Sequence, residues 1–197
     1  MPFVALSTTA NGCACSDSQK LDAINANLGN GFNALINEGG FTSSASFTRP
    51  DDTTAYTALD VVSTLAGAVM VFANIGPDAG GRVLLTSLAL EIDVGAIPAG
   101  MGAFRLHIFA ETPTPIADNA AFNLPAGDRS KYLGFIEIPT PLDLGATLWS
   151  ETEAMAFPIR KEVLLISDTI YGILQTVPGY TPTALVVKKA TLQSILV

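Results

Sequence analysis

The sequence predicts a mainly β protein: an antiparallel β-sandwich preceded by an extended N-terminal arm and a short helix. Short runs with the two-residue alternation of strands follow one another after residue 39. Proline-rich connections separate them, and proline avoids central strands because it has no N–H to donate. The one long helical pattern lies before residue 39. The chain therefore divides into an arm at 1–16, a helix at 17–38 and a sandwich domain at 39–197.

The first segment, 1–16, carries no charged side chain and has no helical period, so we expect it to be extended. An extended, uncharged segment can add its backbone groups to an exposed sheet edge, with side chains filling pockets beside that edge. Phe3, Val4 and Leu6 are therefore candidate interface residues. We expect the arm to attach the protein to a neighbouring subunit of an assembly.

The second segment, 17–38, has apolar residues at spacings of three, four and seven, which form one stripe of a helix. Ser16 or Asp17 can cap its first turn, and Gly39 with Gly40 ends it. The stripe can pack on the chain's own domain or form a short parallel bundle with copies of itself. For the second arrangement the candidate interface residues are Leu21, Ile24, Leu28 and Leu35.

The third segment contains a series of strand candidates with no second long helical pattern, which is typical of an antiparallel sandwich. The candidates are 44–49, 67–75, 82–94, 102–111, 132–138, 144–150, 154–159, 162–166, 169–177 and 184–196. The longest proline-rich connection, 112–129, is the expected excursion from the sandwich. No internal repeat is present.

Alternation along two of these candidates predicts which face is buried. In 82–94 the predicted core face consists of Leu84, Leu88, Leu90, Ile92 and Val94, with Thr86 as its polar member. In 102–111 it consists of Phe104, Leu106, Ile108 and Ala110, and the residues predicted to face outward are Arg105, His107, Phe109 and Glu111. The pattern predicts a sheet with one solvated face.

Composition and charge exclude some classes of partner. The formal net charge is -8 and the chain has only ten Lys and Arg residues, so we expect no nucleic acid partner. The doublets Lys188-Lys189 and Arg160-Lys161 lie among strand-like residues, where we expect solvated positions. Charged residues make up 14% of the chain, against about 25% in ordinary soluble domains. We infer that part of the surface is covered in an assembly.

No membrane partner is expected. The longest uncharged internal run, 61–77, is interrupted by glycine and is shorter than the roughly 20 apolar residues that a membrane span needs. The N-terminus lacks the charged region of a secretory signal, so we expect synthesis in the cytoplasm. Cys13 and Cys15 are too close for an unstrained disulfide, and with one histidine in the chain they make a poor metal site. We expect free thiols.

Residue types that could carry chemistry occur, but not in catalytic patterns. His107 is the only histidine and lies in a regular strand alternation, which favours a position on a sheet face over a general base. The carboxylate pairs Glu91 with Asp93 and Glu151 with Glu153 are expected to be solvated. The sequence therefore predicts no catalytic residue, no cofactor and no metal. Trp149, Tyr132 and Tyr171 could form a sugar platform, although packing is the simpler role.

The stretch 47–62, reading FTRPDDTTAYTALDVV, is the corner around which the domain is organised. Proline forces an extended entry at Arg49, Asp51 and Asp52 suit a turn, and Tyr56 can fix the loop with its large apolar body. The pattern F-x-R-P-x-D-T-x-x-Y-x-x-x-D-V-V resembles one that recurs in tailed-bacteriophage virion proteins. The stretch 118–138, reading DNAAFNLPAGDRSKYLGFIEI, resembles the same group. Neither stretch carries a known catalytic residue.

The resemblance implies a structural virion protein, most simply a capsid decoration or cement protein. Such proteins are commonly jelly-roll-like sandwiches in trimers. It therefore implies a homotrimer on the capsid exterior, in contact with the major capsid protein or other virion proteins. A neck, tail or fibre component is the alternative within the particle. Outside that class, the alternative is a carbohydrate-binding β-sandwich module.

Overall fold

The computed structural model describes residues 40–78, 80–152 and 161–197. The predicted arm and helix lie outside this part, with all the candidate interface residues: Phe3, Val4, Leu6, Leu21, Ile24, Leu28 and Leu35. Cys13, Cys15 and the strand candidate 154–159 also lie outside it.

The described residues are mainly β, as predicted, and their strands form two antiparallel sheets. Among these residues, one 3-10 turn, Ala126–Asp128, lies in the long connection between two of the strands. The strands are β1 (Phe41–Thr48), β2 (Met70–Phe72), β3 (Gly81–Ile92), β4 (Phe104–Phe109), β5 (Tyr132–Ile138), β6 (Leu142–Asp143), β7 (Leu148–Glu151), β8 (Lys161–Leu165), β9 (Ile170–Thr176) and β10 (Val187–Leu196).

The strand order is that of a jelly roll. The larger sheet has the order β1-β10-β3-β7-β6, with β8 paired to the other half of β3, and the smaller sheet has the order β2-β9-β4-β5. Without β6 and β8, each sheet has four strands. Strand β1 then pairs with β10, and β2 pairs with β9. This pairing of the first strand with the last, and of the second with the second-to-last, is that of a jelly roll. The jelly-roll-like sandwich implied by the resemblance is confirmed.

The core lies between the inner faces of the two sheets, and β4 shows how the alternation builds it. Phe104, Leu106 and Ile108 are fully buried on the inner face, and Ala110 is nearly so, as predicted. They pack with apolar side chains of the facing sheet, including Leu88 and Leu90 of β3.

The prediction that the second face of β4 is solvated is correct at Glu111, which is exposed, and wrong at His107 and Phe109. His107 and Phe109 are 5% and 1% exposed, although they point away from the core. The excursion 112–129 covers this face, and its side chains Ile116, Phe122 and Leu124 contribute to this second layer. A segment distant in sequence therefore buries a strand face that alternation alone assigns to water.

The predicted core face of β3 is correct in its second half and wrong in its first. Leu88, Leu90 and Ile92 are buried, but Leu84 is only half-buried, and Val83 and Leu85 take the core positions. The register with β10 shifts here: Ser87 lies opposite Gln193, whereas Leu85 lies opposite Ser194. One extra residue in β3, a β-bulge, reverses which side chains point inward. The bulge lies where the partner of β3 changes from β7 to β8.

Candidate functional site

Arg49 is the central residue of the corner that follows β1. It is 1% exposed, and each of the five N–H groups of its guanidinium has an acceptor. Nε donates to the Tyr56 hydroxyl, and Nη1 donates to the backbone oxygens of Asp52 at 3.0 Å and Thr183 at 3.2 Å. Nη2 donates to Asp52 Oδ1 at 3.2 Å and to Asp118 Oδ2 at 2.8 Å. A buried guanidinium satisfied in this way fixes its loop in one conformation.

Asp118 comes from the first half of the excursion 112–129, and its side chain is buried although its backbone is partly exposed. Its Oδ1 accepts from the Tyr56 hydroxyl at 2.6 Å and from the Ser63 backbone N–H at 2.8 Å. The side chains of Arg49 and Asp118 are 0% and 3% exposed. Together, Arg49, Tyr56 and Asp118 form what we call the buried ionic cluster.

The cluster joins the two stretches 47–62 and 118–138. Arg49 and Tyr56 belong to the first stretch, and Asp118 is the first residue of the second. The same contact continues along the backbone, because Asp60 forms a bridge with Ala121 and the N–H of Asn119 donates to the carbonyl of Val61 at 3.0 Å. The residues of the pattern therefore hold two loops against each other and against the sandwich.

The electrostatics of the cluster favour its charged form. Burial lowers the pKa of Arg49, but the hydrogen bonds to Asp118 and Tyr56 and the charge of Asp118 outweigh burial, so this pKa lies above its ordinary value. Burial also raises the pKa of Tyr56, and its hydrogen bond to Asp118 acts in the same direction. Tyr56 therefore remains a neutral hydroxyl that can donate to Asp118 and accept from Arg49.

Lys188 on β10 lies near this cluster, and the prediction that it is solvated is wrong. It is 1% exposed, and its strand neighbours in the register are Phe47 and Ile92. Because β10 turns Ala190 and Leu192 inward, the two-residue period places Lys188 on the same face. Burial, and secondarily the charge of Arg49, lowers the pKa of Lys188 to about 7.

His107 is fixed in a second polar group under the excursion. Its ring stacks on Phe122 with a centroid separation of 3.6 Å. Gln175 donates through Nε2 to the carbonyl of Leu59, so its Oε1 faces His107 Nε2, which must be the protonated nitrogen, at 3.0 Å. Nδ1 then accepts from the Tyr132 hydroxyl at 2.9 Å. These partners hold a neutral imidazole on the sheet face.

The pKa of His107 lies below its ordinary value, mainly because burial disfavours the imidazolium and also because Arg105 is positively charged. The unfolded chain therefore gains a proton near pH 6.5 that the folded chain does not take up until lower pH. We expect stability to fall as pH decreases from 6.5 through the folded pKa. NMR titration of this single histidine checks the pKa directly, and His107→Gln should flatten the stability slope in that window. A midpoint at or above 6.5 contradicts the assignment.

The other residues that the sequence marked for chemistry are dispersed. Glu91 forms an exposed ion pair with Lys189 at 3.2 Å, and Asp93 is exposed, as predicted. Trp149 lies on β7 of the larger sheet, whereas Tyr132 and Tyr171 lie on strands of the smaller one. The structure therefore does not assemble the three aromatic residues into a platform.

Within residues 40–78, 80–152 and 161–197, no three His, Cys, Asp or Glu side chains converge in a way that could hold a metal ion. In the same part of the chain, no helix is both long and apolar enough to cross a bilayer.

Sequence reasoning did not identify Asp118 or Lys188 as members of the same buried region as Arg49. A signal for Asp118 was present, since the first resembling stretch carries Arg49, the second begins with Asp118, and charges that become buried are found in pairs. The signal for Lys188 was the two-residue period of its strand, which places it on the same face as Ala190 and Leu192.

Comparisons with known proteins add little to this description. No protein-family model matches the chain, and no curated protein matches it. A structure of the infectious bursal disease virus Gt strain is similar over 98% of this chain and 44% of that chain, with 10% identity and a TM-score of 0.16. The T13 particle of the same virus is similar over 100% and 44%, with 9% identity and a TM-score of 0.14. The chain spans less than half of either protein, and similarity at this level establishes neither fold nor function.

Proposed function

We propose that this chain is a structural component of a tailed-phage particle, and that it decorates the exterior of the head as a cement protein. The observation that carries the proposal is the buried ionic cluster. Both stretches that resemble phage virion proteins contribute to it, and their side chains hold two loops of the jelly roll against each other. On this proposal, the two stretches resemble phage virion proteins because they form the same loop-to-loop contact in those domains.

Two further observations support a structural role for this chain in a larger assembly. Jelly rolls are recurrent in viral capsid proteins, although they also occur in lectins and cupins, so the fold alone does not decide the role. A charged fraction of 14% with a mean hydropathy of +0.41 favours a protein whose surface is partly covered by partners. Contact with the major capsid protein and association of the chain with itself would supply that cover.

Fractionation of purified particles tests the location. Heads that lack tails and isolated tails are prepared from the same lysate, and the protein is quantified in each by mass spectrometry. We expect many copies in heads and none in tails. Recovery in tails alone would support the neck, tail or fibre alternative, and absence from both fractions would contradict the virion role.

A specific observation keeps one function of another class in consideration. Trp149 is half-buried on the outward face of the larger sheet, between Glu91 of β3 and Leu142 of β6. An indole on the outward face of a sheet, beside the carboxylate of Glu91, could stack on a sugar ring. Binding on a glycan array that is lost in Trp149→Ala would support a carbohydrate-binding module over a cement protein.

The predicted arm provides a test of attachment. Deletion of residues 2–15 should leave the sandwich folded, with an unchanged far-ultraviolet dichroism spectrum, because the jelly roll begins at β1. Binding to particles that lack the protein should weaken, since the extended segment would no longer add its backbone and apolar side chains to the capsid surface. Undiminished affinity and occupancy would assign the attachment to the sandwich or to the predicted helix.

A further inference from the structure

Strand β1 is a long and regular strand at the edge of the larger sheet. Among the described residues it pairs with β10 alone, and it lies at the end of the larger sheet. All eight of its residues pair with β10 without a register shift. Within residues 40–78, 80–152 and 161–197, one side of this long, regular strand therefore has no strand partner.

The other edges within the described part carry the usual protection against pairing, which is shortness, charge or a bulge. Strands β2 and β6 have three and two residues. Strand β8 carries Glu162, in an ion pair with Arg82, and β5 carries Glu137 and a register shift opposite β4. The sequence of β1, FTSSASFT, has no charge and no proline. Of these edges it is the one suited to accept another strand.

The two faces of β1 indicate what kind of strand would fit. Thr42, Ser44, Ser46 and Thr48 are exposed on the outward face. On the inner face, Phe41 and Ala45 are only half-buried although they pack against the core. A matching strand would offer hydroxyl groups outside and small or aromatic apolar groups inside, and β1 itself has this pattern.

We propose that β1 pairs with β1 of a second copy of this chain, so that the two larger sheets join into one continuous antiparallel sheet. Directly opposite residues of antiparallel strands share a face, so a two-fold pairing sets one residue against itself. With Ser44 at the centre, Thr42 faces Ser46 of the second copy and Phe41 faces Phe47. Hydroxyls then meet hydroxyls, the half-buried Phe41 gains an aromatic neighbour, and no like charges meet.

This contact is separate from the homotrimer that the resemblance implies, and it stands whether or not the chain is a virion protein. Two copies of the strand provide a small interface, so we expect a weak association that becomes important where copies are concentrated.

Cysteine cross-linking tests the register. Ser44→Cys and Ser46→Cys are each made in the full chain with Cys13→Ser and Cys15→Ser, and disulfide formation is followed under mild oxidation. Two residues at position 44 would have Cα atoms about 4.5–5.5 Å apart, within the range of a disulfide. Two at position 46 are offset by four residues, or about 13 Å. We expect dimer to form several-fold faster in Ser44→Cys, and equal rates would overturn the proposal.

A charge variant tests the contact without cross-linking. Ser44→Glu sets two carboxylates against each other, and Thr48→Glu is the matched control at an exposed position beyond the paired segment. Sedimentation over a concentration series should show the two-fold association in the wild type and in Thr48→Glu and its loss in Ser44→Glu. If Ser44→Glu still forms the two-fold dimer, or if the wild type forms none at any concentration, the pairing is overturned. An effect of Ser44→Glu on binding to capsids would not rescue the proposal.

Discussion

Replacing Asp118 by alanine should lower the free energy of unfolding by about 3–5 kcal/mol, because a buried guanidinium would lose its buried partner. The Arg49 side chain is 0% exposed, so water cannot replace the carboxylate without opening the corner. The change would also remove the acceptor of the Tyr56 hydroxyl and of the Ser63 N–H. Urea denaturation followed by circular dichroism measures the loss.

Two further variants separate the loss of the ion pair from a general effect of mutation in these loops. Asp51→Ala is the matched control, since Asp51 lies in the same corner but is exposed, and it should change stability by less than about 0.5 kcal/mol. The double variant Arg49→Met with Asp118→Leu removes both charges and should be more stable than Asp118→Ala alone. A change of less than about 1 kcal/mol in Asp118→Ala would contradict the structural role of the buried ionic cluster.

Lys188→Met should make the protein more stable at neutral pH, by about 1–4 kcal/mol, because methionine fills a similar volume without the cost of burying an ammonium group. The pH dependence has a defined sign. The pKa of Lys188 is lowered from 10.5 to about 7, so between these values the unfolded chain binds more protons than the folded chain. Wild-type stability should therefore rise with pH through that window.

Stability measured at intervals from pH 7 to 9.5 for wild type and Lys188→Met isolates this group, because the other titrating groups are common to both proteins. The advantage of Lys188→Met should shrink as pH rises. Lys189→Met is the matched control: Lys189 is the next residue, is 47% exposed, and should leave the wild-type slope unchanged. A constant difference between wild type and Lys188→Met across this pH range would show that Lys188 is not buried as an uncharged group.

The strand alternation predicted those parts of the fold that depend on local sequence. It identified the inner face of β4 and the second half of β3, because each residue there contacts the core according to its own position in the strand. It failed at Leu84, where a β-bulge changes the phase of β3. A bulge of this kind depends on the change of partner strand from β7 to β8, which no window of the sequence contains.

The candidate site required contacts between distant segments, and the sequence predicted only half of it. The corner at 47–62 was correctly expected to turn at Asp52 and to be fixed by Tyr56: Asp52 Oδ1 accepts from the Thr54 N–H at 2.9 Å, and Tyr56 is buried. That Asp118 lies on Arg49 depends on the path of the excursion 112–129, which also covers His107. The alternation of apolar residues predicts which face of a single strand is buried in the core. It cannot predict which loop will cover the other face of that strand.

Cryo-electron microscopy of particles with and without this protein tests the central claim most directly. Particles made with the gene deleted are compared with the same particles after the purified protein is added. The difference map is expected to show repeated density on the exterior of the head, and each copy should accommodate a two-sheet jelly roll. Identical maps, or added density confined to the neck or tail, would contradict a cement protein of the capsid exterior.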